Sequence, residues 1–490
     1  MQSVDRLLIQ AAQAEDAGRP QEAAALYQQA LAREPNRPNT WFNLGRMLRL
    51  AGQPTAALQA YHQALRRGVS QAEEVHLNRG VIYSDDLRAG AEAEAEWRAA
   101  LVLNPRYVPA WMNLANLHED RGHRAEALAA YEQLLRLSPA SFEALARYAA
   151  LKGVASPADP LLQHLRTAVA SPQSKPLEKA SLCFAMGKLL DECAAYGEAF
   201  VAYTQANRFS RAAFGHQAAR YDRLAQEQLV DRLIATFPLA QVPAVPSSGP
   251  APIFVCGMFR SGSTLTEQVL AAHPLVAAGG ELNFIPRLVA AELQPYPEAA
   301  AQASAAQWPS WAARYREQLS LVGQGAAQVT DKRPDNFLHI GLIKTLFPQA
   351  RIVHTTRHAA DNALSIFFLH LDPAMAYATD LEDIAHYMGQ YRRLMAHWRA
   401  HYGDDILEFP YDDFVQDPRS ASQRLLAFCG LPWDEACLNF HELRNMVRTA
   451  SAWQVRRPVF TSSSGRWKHY RQHLGPLRRA LGDEQLGPAP

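Results

Sequence analysis

Four blocks in the first third of the chain share one arrangement of apolar and polar positions. "AALYQQALAREP" (24–35), "ALQAYHQALRRG" (57–68), "AEAEWRAALVLNP" (93–105) and "ALAAYEQLLRLSP" (127–139) each set an aromatic residue among alanines and leucines at helical spacing. The aromatics are Tyr27, Tyr61, Trp97 and Tyr131, in steps of 34, 36 and 34 residues. A small residue stands sixteen positions before three of them, at Ala11, Gly45 and Ala115, and seventeen before Trp97, at Gly80. Such a period predicts stacked helical units.

With the tryptophan and leucine of "TWFNLG" and "AWMNLA", the period resembles the tetratricopeptide repeat. The resemblance implies two antiparallel helices per unit, touching at the small residues, and four units within residues 1–150. Residues 151–236 read as a degenerate repeat and connecting helices. "AMGKLLDECAAYGEAFVAYTQANR" keeps the spacing through Gly187, Ala199, Tyr203 and Ala206, while "GVASPADP" and "ASPQSKP" break it. A long helix is expected from His216 to Thr236. The five prolines of "FPLAQVPAVPSSGPAP" (237–252) then stop helix formation, and a linker and domain boundary are expected there.

Beyond the linker the period changes. "IFVCG", "LVAAGGE", "AQVTDKR", "ARIVHTTR" and "DILEFPY" are short strand-like runs, and helical stretches such as "SGSTLTEQVLAAH" and "HAADNALSIFFLH" alternate with them. This alternation predicts a parallel sheet covered on both faces over residues 253–482, with a flexible tail at 483–490. The fold class is thus an α-helical solenoid followed by an α/β domain.

Composition narrows the function. A formal net charge of +1 over 490 residues, without a block of like charge, argues against nucleic acid or an anionic membrane as the main partner. The five cysteines, Cys183, Cys193, Cys256, Cys429 and Cys437, form no CxxC pair and read as structural thiols. No signal peptide or spanning run is recognised, so a cytoplasmic protein without a membrane span is expected. No clustered metal-ligand pattern is present, and no metal is expected.

The candidate chemistry sits in "GMFRSGST" (257–264), between a strand and a helix. Gly257 and Gly262 have the spacing of a nucleotide-binding phosphate loop, but Ser263 replaces the lysine and Thr264 follows. Backbone N–H groups at such a helix start can point at an anion, and Arg260, inside the loop, supplies a cation. His273 lies ten residues beyond Ser263 and so about 15 Å from the loop, too far to act as a base there. Glu281 follows Gly257 by 24 residues, about one strand–helix–strand crossover, and is expected on the strand next to the loop, where a carboxylate can accept a hydroxyl proton. A helix-capping acid is the alternative for a lone glutamate after two glycines.

"FRSGSTLTEQVLAAHP" resembles the phosphosulfate loop of sulfotransferases that use 3′-phosphoadenosine 5′-phosphosulfate. "IVHTTRHAADNALSIF" resembles their second signature, an arginine with a serine eight residues on, here Arg357 and Ser365. Within that family, "GGELNFIPRL", "TDKRPDNF", "PYDDF" and "SAWQVRRPVFTSSSGRWKHY" are similar to segments of the tyrosylprotein sulfotransferases.

The resemblance implies Glu281 as catalytic base, with Lys332 and Arg260 at the transferring group. It implies a cofactor site of Arg260, Ser261, Gly262, Ser263, Thr264, Arg357, Ser365, Tyr411, Ser451 and Arg466. Arg357, Ser365, Ser451 and Arg466 would hold the 3′-phosphate and finish the phosphosulfate contacts. The missing lysine fits a phosphosulfate, which has no γ-phosphate for it to serve. Two positions depart from the family: His358 stands where aspartate is usual, and Asn283 stands where the tyrosylprotein enzymes carry an arginine.

The implied product is 3′-phosphoadenosine 5′-phosphate and the implied acceptor a hydroxyl. A polypeptide, protein tyrosine included, is one candidate acceptor, and a carbohydrate or small molecule is another. The repeats are expected to recruit the substrate or a separate protein partner. A repeat scaffold carrying a nucleotide-binding but non-catalytic domain is an alternative of another class, and a nucleotide kinase is disfavoured by Ser263.

Overall fold

The computed structural model describes residues 3–213, 220–239, 252–371, 375–443, 455–458 and 463–482. The chain divides into two compact units, Met1–Lys152 and Gly153–Pro490. The first consists of helix pairs: Val4–Asp16 with Pro20–Arg33, Pro38–Leu50 with Pro54–Arg66, Ala72–Val81 with Gly90–Leu103, and Val108–Asp120 with Arg124–Leu137. Phe142–Lys152 closes it.

Prolines at the first helical position start three of these helices at a point where their missing N–H costs nothing. Within a pair, the small residue admits the aromatic ring. A Cβ on Gly45 would lie 2.7 Å from Tyr61 Cε1, and one on Gly80 would run into the indole of Trp97. The extra residue of the third unit is absorbed by a π-helical turn, Ile82–Asp86, where Leu87 N–H donates to Ile82 O at 3.0 Å. That turn restores the phase, so Trp97 still packs on Gly80 and donates from Nε1 to Leu77 O at 3.1 Å.

The second unit opens with helices Pro160–Ala170, Pro176–Glu192 and Tyr196–Ala213. Gly187 meets Tyr203 as in the repeats before it, a Cβ there lying 2.8 Å from the ring. The next helix, Arg223–Thr236, starts later than the sequence pattern predicts, because Asp222 caps it by accepting from Ala225 N–H at 2.9 Å; His216 lies outside the described residues. These helices pack on the α/β part within the unit. Tyr203 stacks on Phe368 with 3.9 Å between ring centroids, Asn207 Nδ2 donates to Phe367 O at 2.8 Å, and Arg223 pairs with Asp383 at 2.6 Å.

Five parallel strands form the sheet: β1 Ile253–Gly257, β2 Val276–Ala277, β3 Gln328–Lys332, β4 Arg351–Thr356 and β5 Ile406–Pro410, in the order β2-β3-β1-β4-β5. β1 is central and buried throughout. Ile253 and Val255 join a core with Val269, Leu270, Phe414 and Leu425, while Phe254 faces Tyr315 and Phe347 on the other side. The register pairs Val255 with Lys332 and Gly257 with Thr355, and Thr356 with Pro410, so the carboxyl ends of β1, β3, β4 and β5 end close together. Ligands of parallel sheets bind at that edge.

Candidate active site

Two glycines make the loop after β1 possible. Gly257 has φ +154° and a Cβ there would strike the backbone oxygen of Thr355; Gly262 has φ +106° and lies against Tyr411. Arg260 itself adopts a left-handed φ of 67°, a conformation that functional loops hold at a cost of about 1–3 kcal/mol. Ser261, buried, bonds its hydroxyl to Thr355 Oγ1 at 2.6 Å and so fixes the loop to β4. Ser263 and Thr264 begin the helix Ser263–Ala271, whose first N–H groups lie at the loop.

The cations meet above β1 and β4. Arg260 Nε donates to Ser365 Oγ at 3.1 Å. Arg357 Nη1 donates to Arg260 O at 3.4 Å, Nη2 donates to Ser463 O at 2.5 Å, and the guanidinium lies over the Tyr411 ring, 4.9 Å from its centroid. Burial, reinforced by repulsion from Arg357 and Arg466, pulls the Arg260 pKa down to about 10, which still leaves it charged at neutral pH. A loop shaped by glycine, a concentration of positive charge, and an Arg357 Nε that is buried without a hydrogen-bond partner among the described residues together fit a multiply charged phosphosulfate. Among the described residues no group of three acidic, histidine or cysteine side chains could hold a metal.

Glu281 and Lys332 form the second half of the site. Lys332 ends β3 with its side chain buried, and its Nζ donates to Glu281 Oε1 at 2.6 Å, while the Glu281 side chain is 41% exposed. One expectation is corrected here. Glu281 does not follow the strand next to β1, because β3 is inserted between β1 and β2. The pair meets across β2 and β3, with Lys332 N–H donating to Gly280 O at 2.9 Å. Glu281 is not a helix cap either: the next helix, Phe284–Glu292, has Asn283 at that position.

Arg466 lies near enough to the loop for its charge to act on Arg260, and its own side-chain partner is on another helix. It pairs with Asp191 at 2.7 Å, in the helix Pro176–Glu192, and lies over Phe368. Tyr470 donates to the same carboxylate. Burial pulls the Arg466 pKa down, but Tyr203 and Asp191 more than reverse it. Ser451 lies outside the described residues. His273 is buried at the far end of the loop helix, where Nε2 bonds to Pro432 O at 3.1 Å.

The two departures from the family pattern are both engaged. His358 N–H donates to Asp412 Oδ2 at 2.8 Å, and its ring stacks on Trp467 with an interplanar angle of 4°. Asn283 Oδ1 accepts from Arg333 Nη1 at 2.9 Å, and Arg333 is paired with Asp335 at 3.1 Å.

Sequence reasoning missed the carboxylates that hold these parts. Asp361 accepts from Gly465 N–H at 2.6 Å and Trp467 N–H at 2.7 Å, and Asp412 accepts from Ser464 Oγ at 2.5 Å. Together they dock residues 463–467 onto the starts of the helices that follow β4 and β5. The doublet in "YDD" was the available signal for Asp412; Asp361 and Asp191 had none.

The family described as Sulfotransferase family matches residues 252–435, and tetratricopeptide repeat families match residues 10–73 and 108–141. An uncharacterized protein of Aquifex aeolicus (strain VF5) is 29% identical over 408 residues, which is 80% of this chain and 52% of that protein, so the chain spans about half the length of that relative. The protein-tyrosine sulfotransferase A of Caenorhabditis elegans is 26% identical over 247 residues, 44% of this chain and 60% of that one. Among solved structures, the sulfotransferase domain of the olefin synthase of Synechococcus PCC 7002 aligns with a TM-score of 0.36 and 25% identity over 46% of this chain and 91% of that one. This chain thus joins a segment similar to tetratricopeptide repeats to a segment similar to the sulfotransferase family.

Proposed function

We propose that the second unit transfers a sulfuryl group from 3′-phosphoadenosine 5′-phosphosulfate to a hydroxyl acceptor. The observation that carries this reading is the Glu281–Lys332 pair, 2.6 Å apart, at the same sheet edge as the loop of Arg260. When bound, the cofactor supplies the sulfuryl group: the acceptor oxygen bonds to sulfur as the bond from sulfur to the bridging phosphate oxygen breaks, and the electron pair leaves with 3′-phosphoadenosine 5′-phosphate.

The chain's own residues do the rest. Arg260 and the N–H groups of the loop hold the 5′ end, and Arg357 with Ser365 holds the 3′-phosphate, with Tyr411 beneath the guanidinium. Glu281 accepts the acceptor's proton. Lys332 stabilises negative charge on the sulfuryl and bridging oxygens, where a fixed buried cation acts most strongly.

The acceptor in this reading is a polypeptide, presented with the help of the repeats. Relatives named as protein-tyrosine sulfotransferases support a tyrosine, whereas Asn283, held by an Arg333 that is already paired, weakens the case for an acidic peptide. The test is Glu281→Gln. Transfer of labelled sulfate to a phenolic acceptor should fall at least about 1,000-fold, while 3′-phosphoadenosine 5′-phosphate binds within about 3-fold of the parent affinity. A wild-type protein that binds the nucleotide but labels neither phenols nor peptides nor glycans would make the domain a nucleotide-binding scaffold.

A further inference from the structure

The loop helix carries a buried charge that the proposed chemistry does not use. Glu267 is 4% exposed, and its Oε1 accepts from two groups at once: Gly280 N–H at 2.9 Å, adjacent to Glu281, and Thr330 Oγ1 at 2.8 Å, two residues before Lys332 on the same strand. Thr330 Oγ1 in turn accepts from Gly279 N–H at 3.1 Å. One carboxylate therefore ties the phosphate-loop helix to the turn bearing Glu281 and to the strand bearing Lys332.

Burying a carboxylate is costly, and burial holds the Glu267 pKa above the usual carboxylate range even though Lys332 and the bonds from Thr330 and Gly280 act in the opposite direction. The other charged groups nearby are Glu281, on the turn, and Asp331, whose side chain is held by Tyr315 and Asn336. A neutral glutamine could accept both hydrogen bonds without bringing a charge into the interior.

The reaction supplies a reason for that charge. Lys332 is 1% exposed, and its direct partner is Glu281. A buried ammonium whose partner is neutralised becomes an uncompensated buried charge, which is strongly destabilising. From this geometry we propose that Glu267 is a second counter-charge for Lys332, a positioning residue that offsets the buried ammonium while Glu281 carries the acceptor's proton. The catalytic part of this inference rests on the function proposed above; the counter-charge itself does not.

Thermal melting of the full chain tests the counter-charge without any assay of transfer. Glu267→Gln and Glu281→Gln should each melt within about 3 °C of wild type, since either change leaves one carboxylate for Lys332. The double variant should lose at least about 5 °C more than the sum of the two, and adding Lys332→Met should recover that loss. Additive single effects, or a loss that Lys332→Met does not recover, would overturn the proposal. For the catalytic part, Glu267→Gln should lower the turnover of a phenolic acceptor at least about 10-fold with nucleotide affinity unchanged. Wild-type turnover in that variant would reduce Glu267 to a structural clamp. A non-additive melting cycle in a protein that transfers no sulfate would support the counter-charge and reject the functional reading.

Discussion

The two units bury different things. Inside the repeats, the contacts that matter join a small residue to an aromatic ring, as Gly45 to Tyr61 and Gly80 to Trp97, and the interior is alanine, leucine and tyrosine. Inside the α/β part, β3 alone buries Thr330, Asp331 and Lys332, and the loop helix buries Glu267. Apolar packing favours the fold by area removed from water, whereas each buried charge needs its own partners. The first unit is thus arranged for regularity, and the second carries buried charges, each held by partners of its own.

Breaking each kind of contact should have a different signature. The largest effect is expected from Arg260→Ala. Affinity for 3′-phosphoadenosine 5′-phosphosulfate, read by calorimetry, should fall about 10- to 100-fold through loss of charge-assisted bonds, with melting little changed. Next comes Gly80→Ala, whose Cβ would run into Trp97. Overpacking there should destabilise the repeats by about 1–3 kcal/mol, seen as faster hydrogen exchange in helices Ala72–Val81 and Gly90–Leu103, with nucleotide affinity unchanged.

A smaller, pH-dependent effect should sharpen the comparison. Burial pushes the Asp331 pKa up to about 7, against the bonds from Tyr315 and Asn336. A carboxyl group raised in the folded state binds its proton more tightly there than when unfolded. It therefore contributes stability fully below about pH 4, and that contribution is lost as the pH rises through about 7. Asp331→Asn should flatten the fall in melting temperature between those limits. The smallest effect is expected from Cys193→Ser, since that thiol is only partly buried and forms no disulfide; melting and binding should both stay close to the parent values.

Much of this could be read from the order of residues. The repeat period located the aromatic–glycine contacts, and even the seventeen-residue spacing to Trp97 has its counterpart in the π-helical turn Ile82–Asp86. The five strand-like runs are the five strands. The alternation of Gly257, Arg260 and Gly262 marked a loop whose backbone is the unusual one observed. These features are local: spacing, side-chain size and permitted φ values act within a few turns of chain.

The pairings across the sheet were not legible in this way. That β3 separates β1 from β2, and so brings Lys332 rather than Glu281 beside the central strand, depends on strand order, which local pattern leaves open. The pairing of Arg466 with Asp191 joins positions 275 residues apart. The bonds from Glu267 to Gly280 and Thr330 are likewise settled only once helix and strands are packed. Local chemistry thus determined the elements, the loop and the residue types available to it. Tertiary packing decided which charges face one another, because the energy of a buried charge depends on partners that the chain brings together only when folded.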